Sequence, residues 1–521
     1  MSIPYLEGTG KLTKLMVNGK PFHARSGEIH NSSSSSLDYM EQRVWPALRG
    51  MNMNCVVVPI YWECVEPEPG KYDFTLIDGL IAQARREGMK LVFLWFGLWK
   101  NSASTYVPQW VKLDSEKYWL VKAAGNKMLA GFGGMMGVRI ISPLCQEAVA
   151  ADARAFGKVM AHIKEIDSEE NTVITMQIEN EIGVLGAARD YGPKAEAVYQ
   201  QGVPADLAAV YGAGSWEKVF GDYGPEAFMA WHYGKAVNTI IEAGKAEYPI
   251  PMYVNAWLEQ GEAGNYPSGG PQFKNYKIWK AAAPLIDAYG PDIYVGWYRD
   301  VVDEYASEGN PLFIPETRTS NDVVAYYLYA VGAHNALCFA PFGIEDMQGP
   351  NSNDPTVLAM LSIDASGMTG GSNTGRLLSG AYGAVANMGD LIECAHEQGT
   401  IHGFMTSERR ADKEVLHLKD VDLEVTYAQR VGFAPAKSDG PKGGGFVIEL
   451  GKLDYLVLAA NCSVQFKVKD SSPYELDTLI KEEGKFVDDK WVPRRILNGD
   501  EGYRNSFGND ASFLHFKFYQ A

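Results

Sequence analysis

Short runs of apolar residues alternate with amphipathic stretches along most of the chain. Residues 54–62, Asn-Cys-Val-Val-Val-Pro-Ile-Tyr-Trp, form a nearly continuous apolar run of strand length, and 90–96 and 173–178 are similar. Runs with little polar alternation suit strands covered on both faces, as in a parallel sheet wrapped in helices. Between these runs the period becomes helical. In 76–86 the positions Leu76, Ile77, Leu80, Ile81 and Ala84 share one face, and Gly88 follows as a stop. Leu37, Met40, Val44 and Leu48 mark a helix over 37–49, and further helices are expected from Pro143 to about 166, over 226–243 and over 322–334. Strands five to eight fall at 252–257, about 286–295, 311–316 and 336–342. Residues 12–23 read as a hairpin with a type I′ turn at Asn18-Gly19, and Arg25 to His30 as the mouth of strand one. Eight strand–helix alternations predict an α/β chain built on a (β/α)8 barrel.

Two stretches depart from the alternation. Residues 184–224, rich in Gly, Ala and Tyr, are too long for a plain connection and read as an insertion on the barrel. After a last helix over about 376–397, short alternating runs at 423–427, 446–450, 453–459, 464–468 and 513–518 are separated by turn residues, including 438–445. They predict a smaller all-β sandwich. The expected division is a barrel over 1–398, with the hairpin and the insertion, and an accessory β domain over 399–521.

Composition narrows the function classes. The net charge of −17 argues against nucleic-acid and anionic-membrane partners, which select basic faces. The six cysteines lack metal-ligand spacing and lie mostly in apolar runs, so reduced buried thiols are expected. The first residues lack a basic segment followed by an apolar one, and no apolar segment is long enough to span a bilayer. A cytoplasmic protein is expected, with the insertion and the β domain as surfaces for a possible homo-oligomer. Aromatic content of 12% is high enough to supply stacking platforms for sugar rings.

The chemistry is concentrated where strands end. The run 173–178 changes abruptly into Glu179-Asn180-Glu181-Ile-Gly183, and the run 311–315 stops at Glu316. A buried strand has no structural need to end in carboxylates, whereas a (β/α)8 barrel builds its active site at these ends. Two facing carboxyl groups are what glycosidic cleavage requires, one to protonate the leaving oxygen and one to attack or activate water at the anomeric carbon. Glu181 and Glu316 are therefore the candidate catalytic pair, for an oligosaccharide or other glycoside, with no metal or organic cofactor needed.

Several of these stretches resemble glycoside hydrolase clan A, and within it the β-galactosidases of family 35. Gln177-Ile-Glu-Asn-Glu-Ile-Gly183 is similar to that family's acid/base motif. Gly27-Glu-Ile-His30 resembles its first-strand signature, and Tyr61-Trp62 with Glu66-Pro67, Gly70 and Tyr72-Asp-Phe74 resembles its second-strand loop. The resemblance spans about 12–345. It implies a retaining exo-β-glycosidase with Glu181 as acid/base, Glu316 as nucleophile and Asn180 on the sugar 2-hydroxyl. Pro315-Glu-Thr-Arg318 and Phe342 depart from the family pattern, which implies a divergent subgroup and leaves the sugar open among galactose, galacturonic acid, arabinopyranose and plant-glycoside residues. A non-catalytic carbohydrate-binding barrel is the rival reading.

The remaining candidates have structural alternatives beside them. Glu28, His30 and Trp62 lie at strand mouths as sugar contacts or as support, and Glu179 and Glu66 read as support. Asn255 and Trp257 end strand five. Tyr294 or Tyr298 is the candidate hydrogen-bond donor to Glu316, with Arg318 as another partner. Glu345 and Asp346 follow strand eight as sugar ligands or solvated carboxylates.

Overall fold

In the computed structural model, residues 2–131, 136–347, 372–407, 412–427, 441–469 and 474–521 are described. Eight parallel strands make one sheet: β1 (Ala24–Arg25), β2 (Cys55–Tyr61), β3 (Lys90–Lys100), β4 (Val173–Asn180), β5 (Met252–Trp257), β6 (Ala288–Ile293), β7 (Phe313–Thr317) and β8 (Cys338–Pro341). Their spatial order follows the chain order. Glu28 closes the ring, bridging in parallel to Val57 on one side and to Phe342 on the other. The (β/α)8 barrel expected from the alternation is present. Every residue of β2, β4, β6, β7 and β8 is buried, which is why these runs carry no polar alternation. The hairpin forms as expected, with Asn18 and Gly19 both at positive φ, the requirement of a type I′ turn.

β3 differs from its expected length. It continues past Phe96 to Lys100, and its register against β4 shifts between Trp95 and Lys100. Gly97, Leu98 and Trp99 bulge out, and the carboxylate of Glu179 receives the bulge amides, Leu98 N–H at 3.0 Å and Trp99 N–H at 2.6 Å. The bulge sets Lys100 opposite Asn180. A bulge beside a site re-aims side chains in this way.

The 184–224 insertion contains the short helices Pro193–Tyr199, Ala205–Tyr211 and Trp216–Phe220, packed around Trp216 and Phe228. The expected last helix is divided into Ser372–Ala386 and Leu391–Gln398.

The C-terminal strands are β9 (Ile401–Met405), β10 (Lys413–His417), β11 (Val421–Thr426), β12 (Gly444–Gly451), β13 (Asp454–Ala460), β14 (Ser463–Val468), β15 (Leu476–Val487), β16 (Lys490–Ile496) and β17 (Ser512–Gln520). They form a six-stranded sheet, β9-β12-β13-β17-β15-β16, and a three-stranded sheet, β10-β11-β14. Residues 438–440 of the expected turn lie outside the described residues. Alternate residues of β13 point to different cores. Tyr455, Val457 and Ala459 pack with Val421, Leu423 and Val425 of the three-stranded sheet. Leu456, Leu458 and Ala460 join the barrel's core instead. The element they meet is the helix Val323–His334, which is apolar around almost its whole circumference because the barrel covers one side and this sheet the other. Gly332 permits the approach, since a Cβ there would stand 2.3 Å from the Phe446 Cβ.

Candidate active site

A narrow pocket opens at the C-terminal ends of β3 to β7, lined by Asn101, Glu181, Trp257, Leu258, Gln260, Asp292, Tyr294, Val295 and Glu316. The two carboxylates from distant parts of the chain thus share one cavity. Glu181 is 5% exposed and Glu316 is 6% exposed.

The turn after β4 is strained. Glu179 and Glu181 have φ of 61° and 48°, and facing them Asn101 and Ser102 have 47° and 65°. Non-glycine residues in this region cost about 1–3 kcal/mol each and persist only when neighbours over-determine them. Here the neighbours are hydrogen bonds: Asn101 N–H to Asn180 O and Ser102 N–H to Glu181 O, both 3.1 Å, and Glu181 N–H to Asn255 Oδ1 at 2.9 Å. The side chain of Asn101 donates to Glu181 Oε2. Asn255 in turn donates to Asp292 Oδ2 at 2.7 Å, so strands four, five and six are linked behind the pocket.

Electrostatics separate the two carboxyls. Burial, and then the charge of Glu316, push Glu181 up to about 7. Burial raises Glu316 as well, but the Lys100 ammonium and the Tyr294 hydroxyl, which donates to Glu316 Oε1, pull it back. Lys100 is 6% exposed, and its Nζ donates to Asn180 Oδ1 at 2.8 Å. Asp292 is buried and held well above the usual carboxylate range by burial and by Glu316, Glu181 and Glu28. Three carboxyls thus border the same small cavity, Glu181 and Asp292 raised by burial and by neighbouring charge, and Glu316 raised by burial but opposed by Lys100 and Tyr294.

The other sequence candidates divide. Asn180 and Asn255 stand beside the pair, Trp257 and Tyr294 line the pocket, Asp292 shares a hydrogen bond with Glu181, and Asn180 Nδ2 and Glu316 Oε2 are buried without partners among the described residues. Glu28 is wholly buried at the barrel closure, its carboxyl oxygens without a hydrogen-bond partner among the described residues and its pKa raised by burial and by Glu316. His30 and Glu345 meet each other rather than the pocket: Glu345 Oε1 accepts from the His30 backbone N–H at 3.0 Å and from the Ser33 hydroxyl at 2.8 Å, and His30 Nε2 pairs with Asp346 at 2.8 Å.

The structure does not bring Trp62 or Tyr298 into the pocket. Trp62 is fully buried and donates to Glu66 Oε2 at 2.9 Å, because the chain turns into a short helix immediately after β2. Tyr298 stacks on Tyr326 at 3.9 Å and donates to the Tyr326 carbonyl at 3.2 Å. It lies in a helix beyond β6, facing the core, so Tyr294 is the tyrosine on Glu316. Arg318 donates to the Tyr326 hydroxyl at 2.8 Å and pairs with Asp322. Arg299 forms a two-pronged pair with Glu414, joining barrel and β strands.

Lys100, Asn101 and Asp292 are the residues sequence reasoning missed. Each carried a signal: Lys100 and Asn101 end a long apolar run, and Asp292 ends β6 as Glu316 ends β7, with which it is paired in register. The described cysteines are free, four of them buried. Among the described residues no cluster of three or more His, Cys, Asp or Glu side chains has metal-ligand geometry, and no helix is long and apolar enough to cross a membrane.

The fold and these strand ends define a (β/α)8 barrel with a carboxylate pair at its catalytic face. Residues 41–218 match the glycoside hydrolase 42 family, described as beta-galactosidase, and residues 378–508 match a domain of unknown function. The first match takes in Glu181 and ends before Glu316. It points to family 42 rather than to the family 35 suggested by the short motifs. Those motifs are strand-end and loop residues around the carboxylates, which report clan-level chemistry more than one family. No curated protein matches the chain in sequence. Among solved structures, the chain is similar to the beta-galactosidase of Bacillus circulans sp. alkalophilus, with 15% identity over 71% of this chain and 57% of that one and a TM-score of 0.50. It is also similar to the beta-galactosidase of the psychrophilic Marinomonas ef1, with 12% identity, 72% and 60% coverage and a TM-score of 0.49. A third is the beta-amylase catalytic domain of Paenibacillus polymyxa, with 11% identity, 66% and 98% coverage and a TM-score of 0.47. The chain spans less than two thirds of the length of the two beta-galactosidases. At 15% identity the first likeness is one of fold.

Proposed function

We propose that this chain is a retaining exo-β-glycosidase acting on terminal β-linked galactose. The observation that carries the reading is one pocket holding two strand-end carboxyls with different partners, Glu181 lifted to about 7 by burial and the Glu316 charge, and Glu316, raised by burial, opposed by the Lys100 ammonium and the Tyr294 hydroxyl that donates to it. The family described as beta-galactosidase over 41–218 supports galactose as the first sugar to test.

In the first step an ionised Glu316 oxygen forms a bond to the anomeric carbon while the bond to the glycosidic oxygen breaks. That oxygen takes the proton of Glu181 and leaves as the alcohol. Asn101 and Asn255 hold Glu181 in line. In the second step Glu181, now a carboxylate, removes a proton from water as the water oxygen bonds to the same carbon and Glu316 departs as a carboxylate. Two inversions return the β configuration. Asn180, whose Nδ2 has no partner among the described residues, and Asp292, which shares a hydrogen bond with Glu181, are the groups placed to meet sugar hydroxyls.

The test is turnover of a panel of p-nitrophenyl glycosides by wild type, Glu181→Gln and Glu316→Gln, with the product anomer followed by NMR. Cleavage of the β-galactoside with β-galactose as first product, and loss of several orders of magnitude in both variants, is the expected result. An α first product refutes retention. Turnover unaffected by either substitution refutes the pair.

A further inference from the structure

Beside the catalytic pocket lies a second and larger cavity, about 770 Å³, formed by the long connection that follows β3. The two share Asn101. Asn101 is the residue that donates to Glu181 Oε2, so the larger cavity opens on the side of the carboxyl that, on the reading above, protonates the departing oxygen. A leaving group must lie on that side.

The two cavities have opposite chemistry. The catalytic pocket gathers carboxyls and amides. Among the described lining residues of the larger cavity there is no carboxylate, and its walls include Tyr106, Val111, Leu113, Tyr118, Leu120 and Ile141. Of its two lysines, Lys112 is paired with Glu63 at 2.9 Å and Lys100 donates to Asn180 Oδ1 at 2.8 Å; Arg139 is the third cation of the lining, and the Ser104 hydroxyl accepts from the Ile141 backbone N–H at 2.9 Å. Two rings border the space and belong to larger aromatic groups, Tyr106 stacked on Tyr61 at 5.4 Å and Tyr118 edge-on to Trp110 at 5.8 Å. Leu113 is 85% exposed, a large apolar side chain left in water at the rim. Asn31, Thr105, Ser115 and Arg139 also border the space, but apolar surface outweighs polar in the lining, and against it the hydroxyls of a second sugar would lose hydration without replacement. An apolar ring system would cover Leu113 and extend the tyrosine clusters. The volume is in the range of small-molecule sites, roughly 300–1,000 Å³.

We infer that the leaving group of the natural substrate is an apolar, ring-bearing aglycone seated in this cavity, so that the substrates are glycosides of aromatic or polycyclic alcohols rather than oligosaccharides. The inference rests on the glycosidase reading.

The experiment uses S-linked β-galactosides, which are not hydrolysed, so leaving-group reactivity does not enter. Inhibition constants against p-nitrophenyl β-galactoside turnover are measured for methyl, phenyl, 2-naphthyl and glucosyl thiogalactosides on the full chain. The naphthyl compound is expected to bind about tenfold or more tighter than the methyl compound, and the glucosyl compound no tighter than the methyl. Leu113→Asp and Leu120→Asn are expected to abolish most of the naphthyl advantage and to leave the methyl inhibition constant unchanged. A glucosyl compound as tight as the naphthyl one overturns the inference, as does a naphthyl advantage that survives both substitutions. Calorimetry with 2-naphthol alone separates the two readings. Saturable binding that Leu113→Asp weakens, in a protein that cleaves no glycoside, upholds the aglycone cavity and sinks the glycosidase reading. Turnover of galactosides without naphthol binding does the reverse.

Discussion

Tyr294→Phe removes one hydroxyl and isolates a contact that favours the ionised form of Glu316. Glu316 is almost fully buried, its Oε2 has no partner among the described residues, and its Oε1 receives the Tyr294 hydroxyl. Burial raises its pKa, while Lys100 and Tyr294 are the influences that lower it. A hydrogen bond to a charged group contributes about 1.5–3 kcal/mol. One pH unit corresponds to about 1.36 kcal/mol. Losing the hydroxyl therefore moves the acidic limb of the kcat/KM profile upward by about 1 to 2 pH units. The direction follows from the proposed roles. Glu316 must be deprotonated and Glu181 protonated, so a higher Glu316 pKa removes activity from the acid side, and the basic limb, set by Glu181 at about 7, stays where it is. The two limbs close on each other, and kcat/KM on the acid side of the optimum falls by about 10- to 100-fold. The assay is kcat/KM for an aryl glycoside from about pH 4 to 9. An acidic limb unmoved in Tyr294→Phe, or a basic limb that moves in its place, refutes the assignment of Glu316 as nucleophile.

Three further outcomes follow from the geometry. Asn101→Ala removes a donor that favours ionised Glu181, so the basic limb is expected to rise above the wild-type position while the acidic limb stays; a fall in the basic limb counts against Glu181 as the acid. Glu181→Gln is expected to stabilise the fold at alkaline pH. A carboxyl raised from 4.5 to about 7 gives stability that is full below the unfolded pKa and lost as pH rises through 7, about 3 kcal/mol in all, so the variant's Tm should equal wild type near pH 4 and exceed it at pH 8 in calorimetry. Lys442→Met cuts a tie between the C-terminal strands and the loop that carries Tyr294: Lys442 Nζ donates to Gly296 O at 2.8 Å and its backbone N–H to Asp322 at 2.7 Å. The expected result is a loss of about tenfold in kcat with KM little changed and the acidic limb raised, restored in part by Lys442→Arg; an unaltered pH profile shows that the tie does not reach Tyr294.

How far the site was legible depended on whether a residue's neighbours were near in sequence. Glu181 and Glu316 stood out because an apolar strand core ends in a carboxylate only where something uses it. Tyr294 followed from its place at the end of the expected strand six. Lys100 was hidden by Gly97, which reads as a strand terminator; the β3 bulge that carries the strand past it depends on Glu179, a residue of the neighbouring strand, accepting two amides. Trp62 and Tyr298 went astray for a shared reason. Each follows a strand, but the chain turns into a helix at that point and rotates the ring into the core.

The alternation of apolar runs and amphipathic helices was enough by itself to determine the barrel and the order of its strands, and to mark two carboxylates at strand ends, because burial on both sides of a parallel sheet writes continuous apolar runs into the chain. Short alternating runs likewise marked the C-terminal strands at β11 to β14 and β17. Only the tertiary structure decided which polar residues surround the carboxyls, that Asp292 and Lys100 share their field, and that the helix Val323–His334 is covered by a β sheet on its outer side. These depend on groups far apart in the chain meeting at low dielectric, where a carboxyl's proton affinity is set by what lies within a few ångströms of it and not by its neighbours in sequence.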